Sequence, residues 1–148
     1  MDGASSWPPA EDADLTAKPY VVTPESLPLE AWNDPVRGTV SWRTLLSGDR
    51  TPTQALTMGV ADVTAPGDGE ARLHRHAQAE AYYILSGQGV LHIGEETHPL
   101  KAGVTAFIPG NVWHAARAVG AEPLKLLYVF AADSFADIVY EFPVDLPQ

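Results

Sequence analysis

The 148-residue chain is sized for one domain, and having no cysteine it can use neither disulfides, thiolate-held metal centres nor a cysteine nucleophile. Its 19 acidic residues against 9 basic ones give a formal net charge of -10 with no basic cluster, which sets aside nucleic acid and anionic membrane surfaces as partners. No apolar run approaches the ~20 residues of a membrane helix, and the start lacks the basic-then-apolar pattern of a signal peptide, so a cytoplasmic location is expected.

Met1–Lys18 contains Pro8, Pro9, Glu11, Asp12 and Asp14 with few large apolar groups, and reads as a flexible tail in which only Trp7 could dock. Residues 19–148 read as a single domain. Its first part, Pro19 to Trp32, carries Pro24 and Pro28 and is expected to be an extended arm on the body. From Gly38 the pattern turns strand-like. Thr39–Leu45, Gln54–Val63, Ala71–Ala77, Ala79–Leu85, Gly89–Ile93, Thr97–Leu100, Val104–Ile108, Val112–Val119 and Leu124–Ala131 are the predicted strands. Gly/Pro-rich turns separate them, among them Ala65-Pro-Gly-Asp-Gly69 and Ser86-Gly-Gln-Gly89. Ala79–Leu85 and Gly89–Ile93 are expected to pair as a hairpin. Asp133–Tyr140 alone could hold a helical turn or two. Many short strands at near-regular spacing predict an all-β sandwich or barrel.

Three of the five histidines stand where metal ligands would. His74 and His76 are two apart in a strand-like stretch, so both imidazoles leave the same face. Glu80 opens the next apolar strand. His114 lies far along the chain after Pro109-Gly110-Asn111, and an antiparallel barrel can bring it alongside. Imidazole plus carboxylate suits Fe(II), Mn, Co, Ni, Cu or Zn, and four protein ligands leave octahedral positions open for substrate. His92 and His98 have no partners at useful spacing and are expected at the surface.

The stretch from Gly69 to Glu80, with Gly87 seven residues further on, resembles the first motif of the cupin superfamily, and Gly103 to His114 resembles the second. The resemblance implies a small single-domain cupin jelly-roll β-barrel, the double-stranded β-helix, behind the N-terminal arm. It also implies one divalent metal ion on His74, His76, Glu80 and His114, and a homodimer. Two positions depart from the family pattern. Asn111 replaces a usual glycine, and asparagine is the residue that best tolerates the left-handed region in its place. Ala118 replaces an asparagine that is not a ligand.

Tyr82 shares Glu80's parity and is the candidate general acid/base, or else a wall aromatic that hydrogen-bonds ligand or water. Arg72 shares the parity of His74 and could steer a substrate carboxylate. Phe107 and Tyr128 are candidate substrate-binding residues, with Leu126 and Phe130 as further cavity walls. Tyr83, Leu85 and Trp113 have the opposite parity. The leading expectation is an Fe(II) dioxygenase cleaving a carbon–carbon bond of a small molecule inside the barrel. One alternative is a metal-dependent lyase, because Glu80 followed two residues later by Tyr82 resembles single-domain cupin lyases that cleave dimethylsulfoniopropionate. The other is a non-catalytic small-molecule sensor.

Overall fold

The computed structural model describes residues 18–64 and 72–143. The calls on the N-terminal tail, on Trp7, on the Ala65–Gly69 turn and on the glycine that opens the first motif fall outside them, Lys18 apart. Among the described residues nine strands run in chain order: β1 (Glu30–Asp34), β2 (Gly38–Leu46), β3 (Thr57–Val63), β4 (Glu80–Ser86), β5 (Gly89–Ile93), β6 (Glu96–Leu100), β7 (Thr105–Ile108), β8 (His114–Ala118) and β9 (Leu124–Phe130). They form a six-stranded sheet in the order β1-β2-β3-β9-β4-β7 and a three-stranded sheet in the order β6-β5-β8, with every pairing antiparallel. This is the expected jelly-roll barrel.

Alternation drives the packing. β3 buries Thr57, Gly59, Ala61 and Val63, and β9 buries Leu124, Leu126, Tyr128 and Phe130, while the residues between them are half-buried or exposed. β4 turns Glu80, Tyr82 and Ile84 to the same interior. Cross-strand register then sets Phe130 beside Glu80 and Tyr128 beside Tyr82. Fully enclosed side chains such as Phe130, Ile84, Leu91 and Leu124 each contribute about 1.5–3 kcal/mol by leaving water.

The arm is extended as expected, and after a 3-10 turn at Pro24–Ser26 it continues into β1, an edge strand paired to β2 from Glu30↔Trp42 to Asp34↔Gly38. Two expectations are corrected. β4 and β5 do not form a hairpin, because β4 pairs with β7 and β9 while β5 pairs with β6 and β8. The segment between them carries the chain from one sheet to the other, which a jelly roll requires and local turn signals do not reveal. The hairpin at this point is β5–β6, turned by Gly94 at φ 58° and Glu95. Finally, Ala71–Ala77 is not a full strand. Within it, His74 bridges His114 and Arg75 bridges Glu141, and no longer ladder forms among the described residues. The helical turn expected in Asp133–Tyr140 is one 3-10 turn, Phe135–Asp137, with the Ser134 hydroxyl accepting the N–H of Ala136.

Candidate metal centre

His74 and His114 exchange backbone hydrogen bonds, His74 N–H to His114 O at 3.0 Å and His114 N–H to His74 O at 2.9 Å. This joins the ligand segment to the free edge of β8. His76 is held in turn by its own carbonyl, which accepts the N–H of Asn111 at 2.7 Å. Asn111 sits at φ 64°, the left-handed conformation anticipated where the motif glycine is missing. Gly110 beside it approaches the Ala77 carbonyl so closely that any Cβ would overlap it. Backbone contacts of this kind bring the three histidines together from positions up to 40 residues apart in the chain.

One ligand nitrogen from each of His74, His76 and His114 lies within 4.8 Å of the others. Glu80 Oε1 stands 3.1 Å from His76 Nε2 and 3.3 Å from His114 Nε2. His76, Glu80 and His114 are buried, with 2%, 4% and 0% of their surface exposed. Each imidazole is also fixed from behind. Nδ1 of His74 contacts the Arg72 carbonyl at 2.6 Å, that of His76 the Gln78 carbonyl at 2.9 Å, and that of His114 the Val112 carbonyl at 2.8 Å. A carbonyl can only accept, so each Nδ1 carries the hydrogen, and a neutral ring then presents a bare Nε2 lone pair. Three such nitrogens face a carboxylate, which is also an acceptor. The arrangement repels itself unless a positive charge lies among the four groups, either a metal ion or a proton such as one shared by His76 Nε2 and Glu80 Oε1 at 3.1 Å.

Two further features fit a metal ion. His114 Nε2 is buried without a hydrogen-bond partner although a carboxylate oxygen is 3.3 Å away, as expected of an atom aimed at a shared centre and not at that oxygen. Burial and the neighbouring His114 depress the pKa of His74 to about 4, which keeps its ring neutral and available for ligation. Burial alone would raise the Glu80 carboxyl, but the adjoining imidazoles of His114 and His76 outweigh it and hold the pKa below the usual range. The donor set, three imidazoles and one carboxylate, can hold a divalent transition metal.

A cavity of about 80 Å³ adjoins the cluster, and its walls include His74, Glu80, Tyr82, Leu126, Tyr128 and Phe130. Tyr82, Tyr128, Leu126 and Phe130 thus line it as expected. The Tyr82 ring centroid lies 6.4 Å from that of His114. Burial, and then the Glu80 charge, push the Tyr82 phenol well above its ordinary pKa. Arg72 borders the cavity with its side chain exposed. Phe107 does not line the cavity and is corrected: it is 69% exposed on the outer face of β7, because Ala106 and Ile108 take the inward positions on that strand. Tyr83 and Leu85 face outward as expected. Trp113 is likewise outside, under the guanidinium of Arg75 at 4.6 Å. His98 is exposed beside Glu96 at 2.8 Å, and His92 is half-buried beside Thr97.

Sequence reasoning missed much of the wall. Trp32, Trp42, Phe135 and Tyr140 all border the cavity. Tyr140 packs its ring 5.2 Å from both His74 and His76 and 5.0 Å from Trp32. It lies on the segment after β9, where no strand alternation marks an inward face. Only its aromatic character could have pointed to it.

Comparison with known proteins agrees with this geometry. Residues 62–130 match the cupin domain family. Over 132 residues the chain is 36% identical to dimethylsulfoniopropionate lyase DddW of Ruegeria pomeroyi, covering 89% of this chain and 85% of that one. Among solved structures, a predicted oxalate decarboxylase from Thermotoga maritima superposes with a TM-score of 0.66 at 27% identity, over 76% of this chain and 99% of the other. A cupin 2 conserved barrel protein from Rhodopseudomonas palustris gives 0.66 at 25% identity, over 82% and 83%. Motifs, barrel and relatives converge, and the chain belongs to the cupin family.

Proposed function

We propose that the protein is a metal-dependent lyase that eliminates dimethyl sulfide from dimethylsulfoniopropionate or a close β-sulfonio carboxylate. The observation that carries this reading is the placement of Tyr82. It is a buried tyrosine two residues from Glu80 on β4, on the same cavity wall, with its ring beside His114. The resemblance to a dimethylsulfoniopropionate lyase over most of both chains supports it.

His74, His76, Glu80 and His114 would hold the metal. A divalent ion bound there supplies a Lewis acid for the substrate carboxylate and a positive charge that offsets Glu80. The remaining work falls to the chain itself. Trp32, Trp42, Tyr128, Phe130 and Tyr140 present aromatic surface, which attracts a sulfonium cation and keeps water from it. With Glu80's charge offset, the Tyr82 phenolate becomes accessible, and as the phenolate Tyr82 would remove the proton from the carbon next to the carboxylate. The C–H electron pair becomes the new C=C bond, the C–S bond breaks, and its electrons leave with neutral dimethyl sulfide. Acrylate remains, and the proton on Tyr82 passes to solvent.

The test is anaerobic incubation of the full chain, loaded in turn with Fe(II), Mn(II), Co(II), Ni(II) or Zn(II), with dimethylsulfoniopropionate. Headspace dimethyl sulfide matched by acrylate is the expected result. Turnover only with oxygen consumed would favour the dioxygenase, and binding without product the sensor. The homodimer remains part of the proposal, supported by the exposed apolar Tyr83 and Phe107, and sedimentation in solution reads it.

A further inference from the structure

The segment that carries His74 and His76 has no ladder of its own. One edge is tied to β8 through His74 and His114. The other is tied to residues 132–142, which run back along the barrel as a strap. Arg75 and Glu141 exchange backbone hydrogen bonds at 3.0 and 2.9 Å, and their side chains pair at 2.6 Å. Gln78 Nε2 donates to the Asp137 carbonyl at 3.3 Å. Tyr140 covers both histidine rings, and Phe142 lies 6.0 Å from that of His74.

The near end of the strap is fastened to the loop between β2 and β3 and to the first residue of β3. Thr57 Oγ1 donates to the Ala132 carbonyl at 2.9 Å. Asp133 accepts twice, at its carbonyl from Gly48 N–H and at Oδ1 from Ala55 N–H, both at 2.7 Å. The second bond holds Ala55 at φ 71°, a conformation alanine rarely adopts. Ser47, fully buried, donates its hydroxyl to Asp49 and accepts the Phe135 N–H at 2.9 Å. Gly48 passes so close that a Cβ there would sit 2.7 Å from the Asp133 carbonyl. The bonds to Ala132, Asp133 and Phe135 hold the two segments together.

We propose that this junction is a latch that sets how long the centre retains its metal, with Ser47 and Asp133 acting as positioning residues for His74 and His76 through the strap. The proposal rests on reading the cluster as a metal site, and not on the reaction. With the latch loosened, the strap moves with the ligand segment and no longer braces it, which leaves the His74–His114 and His76–Asn111 backbone bonds alone to hold His74 and His76 against Glu80 and His114.

The test uses the full chain loaded with Co(II) and mixed with excess chelator, the loss of the cobalt absorption giving the release rate. Ser47→Ala and Asp133→Ala are expected to release the ion at least tenfold faster than the unaltered protein. Asp133→Asn, which keeps an oxygen acceptor for Ala55 N–H, is expected to release it at the original rate. Leu124→Ala is the control, removing a buried side chain at the opposite end of β9 from Phe130. It should lower the unfolding midpoint without hastening release. Release rates unchanged in both alanine variants would overturn the latch while leaving the metal site standing. So would equal acceleration in Leu124→Ala, or no rescue by asparagine. Should Ser47→Ala not fold, the Asp133 pair decides. Failure of the unaltered chain to bind Co(II) at all would overturn both readings.

Discussion

The hydroxyl of Tyr128 occupies the space directly over Gly59, its cross-strand partner on β3. A Cβ at position 59 would overlap the phenol oxygen and lie 2.8 Å from the Arg43 carbonyl. The missing side chain is therefore what lets a tyrosine fit inside the barrel at this level. Gly59→Ala is expected to destabilise the fold by about 1–3 kcal/mol, the usual cost of forcing a group into a packed core. Tyr128 Oη is buried without a hydrogen-bond partner among the described residues, so Tyr128→Phe removes the clash at little cost. Urea unfolding of the double variant should recover part of the loss, and strictly additive effects would contradict the overlap.

Tyr82→Phe keeps the ring that packs inside the barrel and removes only the group that can take a proton. Under the lyase reading, turnover should fall by roughly 10²–10⁴-fold, the range of general-base catalysis, with metal content unchanged by elemental analysis. A drop in bound metal of the same size would assign Tyr82 a structural role instead.

His76→Ala should take bound metal from near one ion per chain to near none while the far-ultraviolet circular dichroism stays that of the barrel. The imidazole is one of four proposed ligands, and its ring lies 5.0 Å from that of Phe130 and 5.2 Å from that of Tyr140. Full metal content in this variant would remove His76 from the ligand set.

The metal-free protein should lose stability on acidification. His74 has a pKa of about 4 in the folded chain against 6.5 for an ordinary histidine. As pH falls from 6.5 toward 4, the unfolded chain takes up a proton that the folded chain refuses, so the balance shifts toward unfolding across that window. Glu80, whose folded pKa is depressed, adds a loss in the same direction at lower pH. Thermal midpoints between pH 7.5 and 4 read the effect. Saturating divalent metal should oppose it, since an ion that binds only the folded form raises the midpoint. A midpoint that rises on acidification would contradict the buried, neutral state of His74.

Along the chain, alternation marked strands close to where they form. β9 was predicted as Leu124–Ala131 and spans Leu124–Phe130. β3 begins at Thr57 and not Gln54, because Ala55 turns left-handed to meet Asp133, a contact between residues 78 apart. An aromatic in a barrel strand is expected on the inner wall, yet Phe107 on the four-residue β7 faces outward. Ile108 is the fully buried residue there, and its neighbour must point outward.

What the sequence determined by itself was the type of chemistry. His74 and His76 at spacing two, Glu80 at the start of an apolar strand, and His114 behind a proline–glycine turn are local patterns that name the candidate donor set, whereas the bridges of the His74 segment to His114, Asn111 and Glu141 orient its two rings. Tertiary structure alone decided the cavity's far walls and the strap. Tyr140, Trp32 and Phe135 reach the site through pairing between distant segments. Such pairing depends on which edge each strand presents to its neighbours, and no short stretch of sequence carries that information.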